Sequence, residues 1–310
     1  GFTAHGQSHQ GFRYTLVMNS HLTLLKHQHS NRVFTAMDAG KIISSVFEKS
    51  GFPTQKLSVK ASSSTLDMTV QYNETDYDFV TRLMRKHGFV YSFVEQTGGD
   101  CVLYICNKAK EISNLYTPVN LSYVPPSGQV RTSESIFAIS RQAQLFAQNT
   151  QLNDYNYQAP ANLQITANNS SQIVGFGEDS HYADNYQTAE QGQLFATIRQ
   201  QSLDCQREQI IIDTDCRALR PGMQLNIYDH PEHDGQYLVT RVEHKGSQNA
   251  AVEYGSNVKG LTYKNQAYLI SIDQTFKAPL MQARRVFATF NALIEQEIDD
   301  KGNYVVKLPF

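Results

Sequence analysis

Two stretches of the chain carry side chains of the kind that hold metals or move protons. Residues 230–235 read His-Pro-Glu-His-Asp-Gly, which places two imidazoles and two carboxylates side by side. Donors of that type suit a divalent ion, and a His–Glu pair can relay a proton. The same residues also make a turn without any chemistry, because Pro231 and Gly235 punctuate two alternating runs. A solvated turn is the expected structure there. His5, His9, His21, His27 and His29 crowd the N-terminal segment. His27 and His29 stand at strand spacing, however, with no Asp, Glu or Cys beside them to complete a tetrahedral set. Solvated or sheet-packed histidines are expected there. The 29 acidic residues offer many carboxylate pairs, but a glycosidase pair is defined by separation in space and spacing along the chain does not select one. No nucleophile elbow, HExxH pair, P-loop or dinucleotide fingerprint occurs. The sequence therefore predicts no catalytic residue, no metal site and no cofactor.

Cys101, Cys106, Cys205 and Cys216 form no C-x-x-C pair, so a zinc knuckle or redox motif is not expected. Cys101 and Cys106 differ by an odd number along one apolar run and point to opposite faces of a strand, which argues against a disulfide between them. Buried free thiols are the expected state.

The elements that position side chains are clearest over residues 71–93. Thr75 is placed to cap a helix, with Asp76 and Asp78 in the first turn where carboxylates meet the positive helix end. Phe79, Val80, Leu83 and Met84 make one apolar stripe, Arg85, Lys86 and His87 fill the last turn, and Gly88 is a natural stop. After Gly88 the period falls to two, and Phe89, Tyr91 and Phe93 alternate as a strand. The apolar run 101–106 then follows a Gly98-Gly99-Asp100 turn to complete a hairpin.

Gln71, Tyr72, Glu74, Thr75, Asp76, Phe79, Arg82, Leu83, Gly88, Phe89, Tyr91 and Phe93 resemble the central motif of the VgrG spike proteins of type VI secretion systems. A second match runs through Cys216, Leu219, Pro221, Gly222, Leu225, His230, Pro231, Gly235, Tyr237, Leu238, Val239, Val242 and His244. Arg32, Val33, Phe34, Ile42, Ile43 and Val46 resemble an earlier strand-to-helix step, and Leu152, Asp154 and Tyr155 a later strand. Asp299, Gly302, Tyr304, Val306, Leu308, Pro309 and Phe310 resemble a first hairpin of the oligonucleotide/oligosaccharide-binding (OB) domain. Of the motif residues, Gln71, Tyr72, Glu74, Asp76, Phe79 and Arg82 are expected to pack and hydrogen-bond within the fold, with Arg82 paired to Glu74 or Asp78.

Composition agrees with a β-rich protein. The chain has 310 residues, 40% apolar types, 17 Tyr and 16 Phe with no Trp. A net charge of −2 gives no basic surplus for nucleic acid. No stretch of about 18 apolar residues is present to span a membrane, and the first residues lack the charged start and apolar centre of a secretory signal.

Along the chain, alternation in residues 12–19 and the HLTLL segment predict a hairpin or two strands. RVFTA predicts a strand, followed by a helix starting near Asp38 with Ile42, Ile43, Val46 and Phe47 inward and Gly51 as stop before Pro53. A short strand is expected around residues 66–72. Residues 108–133 read as loop, with the boundary at Pro125-Pro126-Ser127-Gly128. Strands are expected at 135–139 and 145–157, an exposed strand and loop at 161–180, and a helix at 187–203 with Leu194, Ile198 and Leu203 inward. Leu219 is expected to start a strand, with others at 236–243, 250–257 and 263–272, and a final hairpin turning at 299–302.

The resemblance implies a mainly β, α+β fold: two phage-hub-like β-barrels, a small helix-strand domain and the start of an OB-fold. The domains it implies are 1–30 (last strands of a first barrel whose beginning precedes Gly1), 31–126 (the helix-strand domain), 127–278 (a second barrel with an inserted helix) and 279–310 (the opening of the OB domain). It further implies a structural hub that trimerises into a pseudo-hexameric ring, caps an Hcp-like tube and delivers effectors. Its partners would be two further copies, the tube protein, a PAAR-like tip protein or effectors, and baseplate proteins, with the target membrane met only transiently and no nucleic acid. Assembly in the bacterial cytoplasm would precede secretion or injection. A myophage tail hub or phage-like toxin-injecting particle shares these features. From another class, a secreted carbohydrate-binding or glycan-cleaving β-protein remains as the alternative.

Overall fold

The computed structural model describes residues 1–8, 11–96, 98–125, 133–156, 164–247, 262–282, 286–299 and 302–310. The chain begins with an antiparallel hairpin of β1 (Phe2–Ser8) and β2 (Gly11–Leu16). The HLTLL segment is not a strand as expected but a 3-10 helix, His21–His27, whose buried residues are Leu22 and Leu25. An i,i+3 apolar pair lies on one side of a three-residue turn, whereas a strand would set the two on opposite faces.

β3 (His29–Asp38) leads into α1 (Ala39–Lys49), where the Asp38 carboxylate accepts from the Lys41 backbone N–H at 3.1 Å. Ile42, Ile43, Val46 and Phe47 are fully buried, and Gly51 takes the left-handed conformation that ends the helix region. β4 (Leu57–Val59), β5 (Thr65–Thr75) and α2 (Asp76–Lys86) follow. At the start of α2, the Thr75 hydroxyl accepts from the Asp78 N–H at 3.1 Å. Thr75→Ala is expected to cost about 1 kcal/mol, read as a lower urea midpoint at unchanged slope, while Thr75→Ser retains most of the stability.

β6 (Val90–Glu95) and β7 (Cys101–Cys106) form the expected hairpin in the register Val90↔Cys106 to Glu95↔Cys101. All four cysteines are free, but Cys101 is exposed rather than buried as expected, because it lies on the face of the strand opposite to that of the buried Cys106. The segment read as loop holds a short helix, α3 (Ala109–Ser113), and β8 (Val119–Ser122). The Pro125–Gly128 boundary lies largely outside the described residues. β9 (Ile136–Ala143), β10 (Asn149–Tyr155), β11 (Gln164–Ser170) and β12 (Glu178–Tyr182) precede α4 (Ala189–Arg207). Leu194, expected inward, is half exposed. The buried face of α4 runs instead through Phe195, Ala196 and Ile198, one position round the helix, and Leu203 is half-buried. β13 (Glu208–Thr214), β14 (Gln224–Tyr228), β15 (Gly235–Ser247) and β16 (Thr262–Ser271) come next, then the two-residue strands β17 (Leu293–Ile294) and β18 (Val306–Lys307). Leu219 does not start a strand; it is a fully buried residue of the turn ahead of β14. The strand expected at 250–257 lies outside the described residues.

These elements fall into two compact units, Gly1–Thr54 with Ser64–Leu83 and Gln282–Phe310, and Gln55–Ser63 with Met84–Met281. The expected boundaries follow sequence order, whereas the units interleave and the division falls inside α2. The first unit contains the β1–β2 hairpin, the antiparallel β3–β5 pair with α1, and the β17–β18 hairpin. At the β17–β18 turn, Asp299 Oδ1 accepts from Asn303 N at 2.7 Å and Gly302 N donates to Asp299 O at 2.9 Å.

The second unit contains three sheets. One has the order β4-β7-β6, and another, β11-β10-β12, is covered by α4 through Leu152, Ala167, Phe195 and Ile198. The largest has the order β8-β14-β15-β16-β13-β9. Its outer strands approach each other where Tyr123 bridges Ile136, so this sheet curls into a half-barrel. Leu121, Leu225, Val239, Leu269, Ile212 and Ile136, one from each strand, share its core. The interior is filled with side chains. Among the described residues no helix is long and apolar enough to cross a membrane.

Candidate functional site

The motif residues of the first unit converge on two buried carboxylates. Glu74 and Asp76 close the β5-to-α2 step and are 2% and 0% exposed. A buried carboxylate persists as an anion only if it is paired and hydrogen-bonded. Asp76 receives a two-pronged contact from Arg32 of β3, Nη1 to Oδ1 at 3.1 Å and Nη2 to Oδ2 at 3.2 Å. Gln71, fully buried, donates Nε2 to Asp76 Oδ1 at 2.7 Å. Glu74 is held by Arg82, with Nε at 2.9 Å from Oε2 and Nη2 at 2.7 Å from Oε1, and the same Nη2 donates to Val70 O at 2.8 Å. Of the two partners the sequence offered to Arg82, the structure selects Glu74. Asp78 instead accepts from the Thr75 hydroxyl.

Strand register makes these pairs possible. Arg32 lies opposite Gln71 in the β3–β5 pair, directly after a register shift between Ser30 and Arg32. The residue in the shift, Asn31, accepts from Asn73 N at 2.7 Å, and Asn73 is in the left-handed region that Asn tolerates. Both guanidinium forks bind in the planar geometry that makes Arg suited to carboxylates. Each carboxylate is thus committed to its own cation, an arrangement that fixes strands to helix and leaves neither free for proton transfer.

The remaining motif residues pack around this lock. The Phe79 ring stacks on Phe34 at 5.7 Å between centroids, and the Arg82 guanidinium sits 4.9 Å from the Phe79 centroid. Leu83 is buried. The Tyr72 ring meets Phe290 at 5.2 Å and Phe310 at 5.9 Å. Gly88 closes α2 in the second unit: its N–H donates to Arg85 O at 3.2 Å and Phe89 N to Met84 O at 2.8 Å.

Pro221 and Gly222 belong to a turn of the half-barrel. Pro221 O accepts from the Ser92 hydroxyl at 2.9 Å, and Gly222 N donates to Val239 O at 2.8 Å. A Cβ at Gly222 would lie 2.6 Å from Ile112 Cγ2, so the backbone approaches that side chain as only glycine can. His230, Pro231 and Gly235 lie between β14 and β15. His230 Nδ1 accepts from the backbone N–H groups of Glu232 and His233 at 3.1 Å each, and His230 N donates to Asp234 Oδ1 at 2.7 Å. The imidazole stacks on His233 at 4.8 Å and meets Tyr123 edge-on at 4.6 Å. Its acceptor nitrogen is spent on the turn. Among the described residues, no three His, Cys, Asp or Glu side chains gather as metal ligands would.

Burial pushes the Cys106, Cys205 and Cys216 thiols up to about 11, so they stay protonated and unreactive at neutral pH. Burial likewise raises the Tyr186 phenol to about 12, with Asp154 and Asp184 adding to it. Sequence reasoning placed Arg82 correctly but did not give Arg32 its role, because a pair 44 positions apart depends on strand register.

Residues 1–250 match the profile of the family described as phage tail baseplate hub (GPD). The chain is 26% identical over 269 residues to the type VI secretion system spike protein VgrG1b of Pseudomonas aeruginosa, covering 85% of this chain and 36% of that protein. It is 25% identical over 274 residues to the actin cross-linking toxin VgrG1 of Vibrio cholerae serotype O1, covering 86% of this chain and 24% of that protein. The chain thus spans well under half the length of these curated relatives. Among solved structures it is similar to the E. coli c3393 protein, described as a component of the type VI secretion system with structural similarity to T4 bacteriophage tail proteins gp27 and gp5. That likeness has a TM-score of 0.69 at 17% identity, covers 100% of this chain and 71% of that one, and concerns the fold.

Proposed function

Because this chain belongs to the phage tail baseplate hub (GPD) family, we propose that it is the structural hub of a contractile injection apparatus of the type VI secretion kind. The observation that carries the reading is the family match over residues 1–250, joined by relatives named as spike proteins along most of this chain. Three copies form a ring, each giving two similar barrels, so that a threefold spike presents a nearly sixfold face to an Hcp-like tube. A PAAR-like tip protein or effectors ride on the spike, baseplate proteins hold it, and the target membrane is met only in passage. Assembly takes place in the bacterial cytoplasm, followed by secretion or injection. In this reading residues 1–30 complete a first barrel, 31–126 connect the two, 127–278 hold the second, and 279–310 open an OB domain.

The role is mechanical, with no enzymatic step in this chain. A half-barrel whose interior is filled from all six strands suits transmission of thrust better than enclosure of a ligand. The guanidinium-locked carboxylates likewise serve rigidity. A closed ring also satisfies a head-to-tail contact that would otherwise propagate into a filament. A myophage tail hub would use the same architecture, but the curated relatives favour the secretion spike.

The test is the solution mass of the full-length protein by light scattering, followed by capture on rings of the tube protein. A trimer that binds the tube ring is the expected result. A stable monomer that binds or cleaves glycans overturns the proposal in favour of a secreted carbohydrate-active protein.

A further inference from the structure

The second unit contains a cavity of about 740 Å³ with a buried ammonium at its wall. Lys277 is 8% exposed, and its Nζ donates to Gly88 O at 2.5 Å and Asn107 O at 2.9 Å. An ammonium carries three N–H groups, so one is left over. Among the described residues no carboxylate pairs with Lys277, although a charge out of water is normally matched by an opposite one. Burial pushes this amine below the ordinary lysine range, the Cys106 and Cys205 thiols draw it part of the way back, Lys108 pushes it down again and Glu111 opposes that. A second unmatched group lines the same cavity: Gln274 Oε1 is buried and has no donor among the described residues. Lys277 and Gln274 both line the cavity, with one N–H of Lys277 left without a partner among the described residues and Gln274 Oε1 buried beneath the surface.

The rest of the lining combines Ser, Asn, Thr and Gln side chains with an apolar patch. Phe89, Leu238, Ile272 and Phe276 supply an apolar wall, of which Leu238, Ile272 and Phe276 pack in one cluster. Lys108 and Lys110 add positive charge at the cavity against a single carboxylate, Asp273. We infer that this cavity binds the free C-terminal end of a polypeptide. The terminal carboxylate takes the remaining N–H of Lys277, and an apolar last side chain lies on the Phe89–Leu238–Ile272–Phe276 wall. Capture of a chain end through its terminal carboxylate is an established mode of recognition, and the volume lies within the range of about 300–1,000 Å³ usual for ligand pockets. The inference uses the second unit alone and does not depend on the hub reading.

Calorimetric titration of the whole chain tests it. The probes are a pool of N-acetyl tetrapeptides ending in Val, Ile, Leu, Met or Phe with free carboxylates, the same pool as C-terminal amides, and N-acetylphenylalanine. The free-acid pool is expected to contain a member that binds at least about tenfold more tightly than its amide, which corresponds to about 1.4 kcal/mol. That preference disappears in Lys277→Met, and binding is blocked in Ile272→Trp, which fills the cavity. Equal binding of acids and amides, or no heat from any acid at millimolar concentration, overturns the proposal. N-acetylphenylalanine binding as tightly as the peptides also overturns it, by assigning the site to a free organic acid. Should Lys277→Met fail to fold, the acid-against-amide comparison in the unaltered protein and the Ile272→Trp variant still decide.

Discussion

An Arg32→Met variant is expected to lose about 3–5 kcal/mol of stability, the usual cost of removing one partner from a buried pair. Methionine keeps the length of the side chain and removes its charge. Asp76, fully buried, then retains only the neutral Gln71 amide, at 2.7 Å, and the N-terminus of α2. A helix end contributes at most about 2 kcal/mol towards an anion, so it offsets only part of the loss. The double variant Arg32→Met/Asp76→Leu removes both charges and is expected to recover most of the deficit, since paired ions of this kind are often no more stabilising than apolar residues of similar volume. Lys41→Met provides the surface control. Lys41 lies 3.6 Å from Asp38 but its side chain is 78% exposed, and its loss is expected to stay within about 0.5 kcal/mol. Urea unfolding of the four proteins distinguishes the cases. If Arg32→Met costs no more than Lys41→Met, Asp76 is reached by water and the lock does not exist.

How far the sequence could be read follows from which interactions are local. Helix α2 was legible to within one residue of its end at Lys86, because Thr75, the Phe79–Met84 stripe and Gly88 are signals contained within one short window. The Arg82–Glu74 pair was legible for the same reason, being only eight positions apart. The Arg32–Asp76 pair was not. It depends on the register of β3 against β5 and on a shift at Asn31, and a slip of one residue would have turned Arg32 away. Strand β13 was missed because Ile210, Ile211 and Ile212 run without alternation, as a strand buried on both faces does. HLTLL was misread because an apolar-polar-apolar run of that length satisfies period two and period three alike, and only packing of Leu22 and Leu25 decides between them. Lys277 gave no signal at all. A lone lysine beside Phe276 looks like a solvated charge until Gly88 O and Asn107 O are brought to it from nearly two hundred positions away.

Gly88 carries two constraints that a matched pair of substitutions can separate. Its φ of +66° lies in the left-handed region, which costs a side chain about 1–2 kcal/mol. A Cβ there would also lie 2.9 Å from Ile198 Cγ1, 3.0 Å from Ile198 Cδ1 and 3.1 Å from Lys277 Nζ. Ile198 is buried in the core under α4 and has little room to yield, so overpacking adds about 1–3 kcal/mol. Gly88→Val is therefore expected to cost about 2–5 kcal/mol in all. Gly51 is the natural control, since its φ is +71° but nothing lies within 4 Å of a Cβ built on it. Gly51→Val should show the backbone cost alone, about 1–2 kcal/mol. The excess at Gly88 measures the packing, and it should shrink by about 0.5–3 kcal/mol when Gly88→Val is combined with Ile198→Ala, because the side chain that obstructs it is gone. Equal losses at Gly51 and Gly88 would mean that only the helix stop demands glycine. A larger loss at Gly88, relieved by Ile198→Ala, would mean that the same residue both ends α2 and sets how closely α4 can approach.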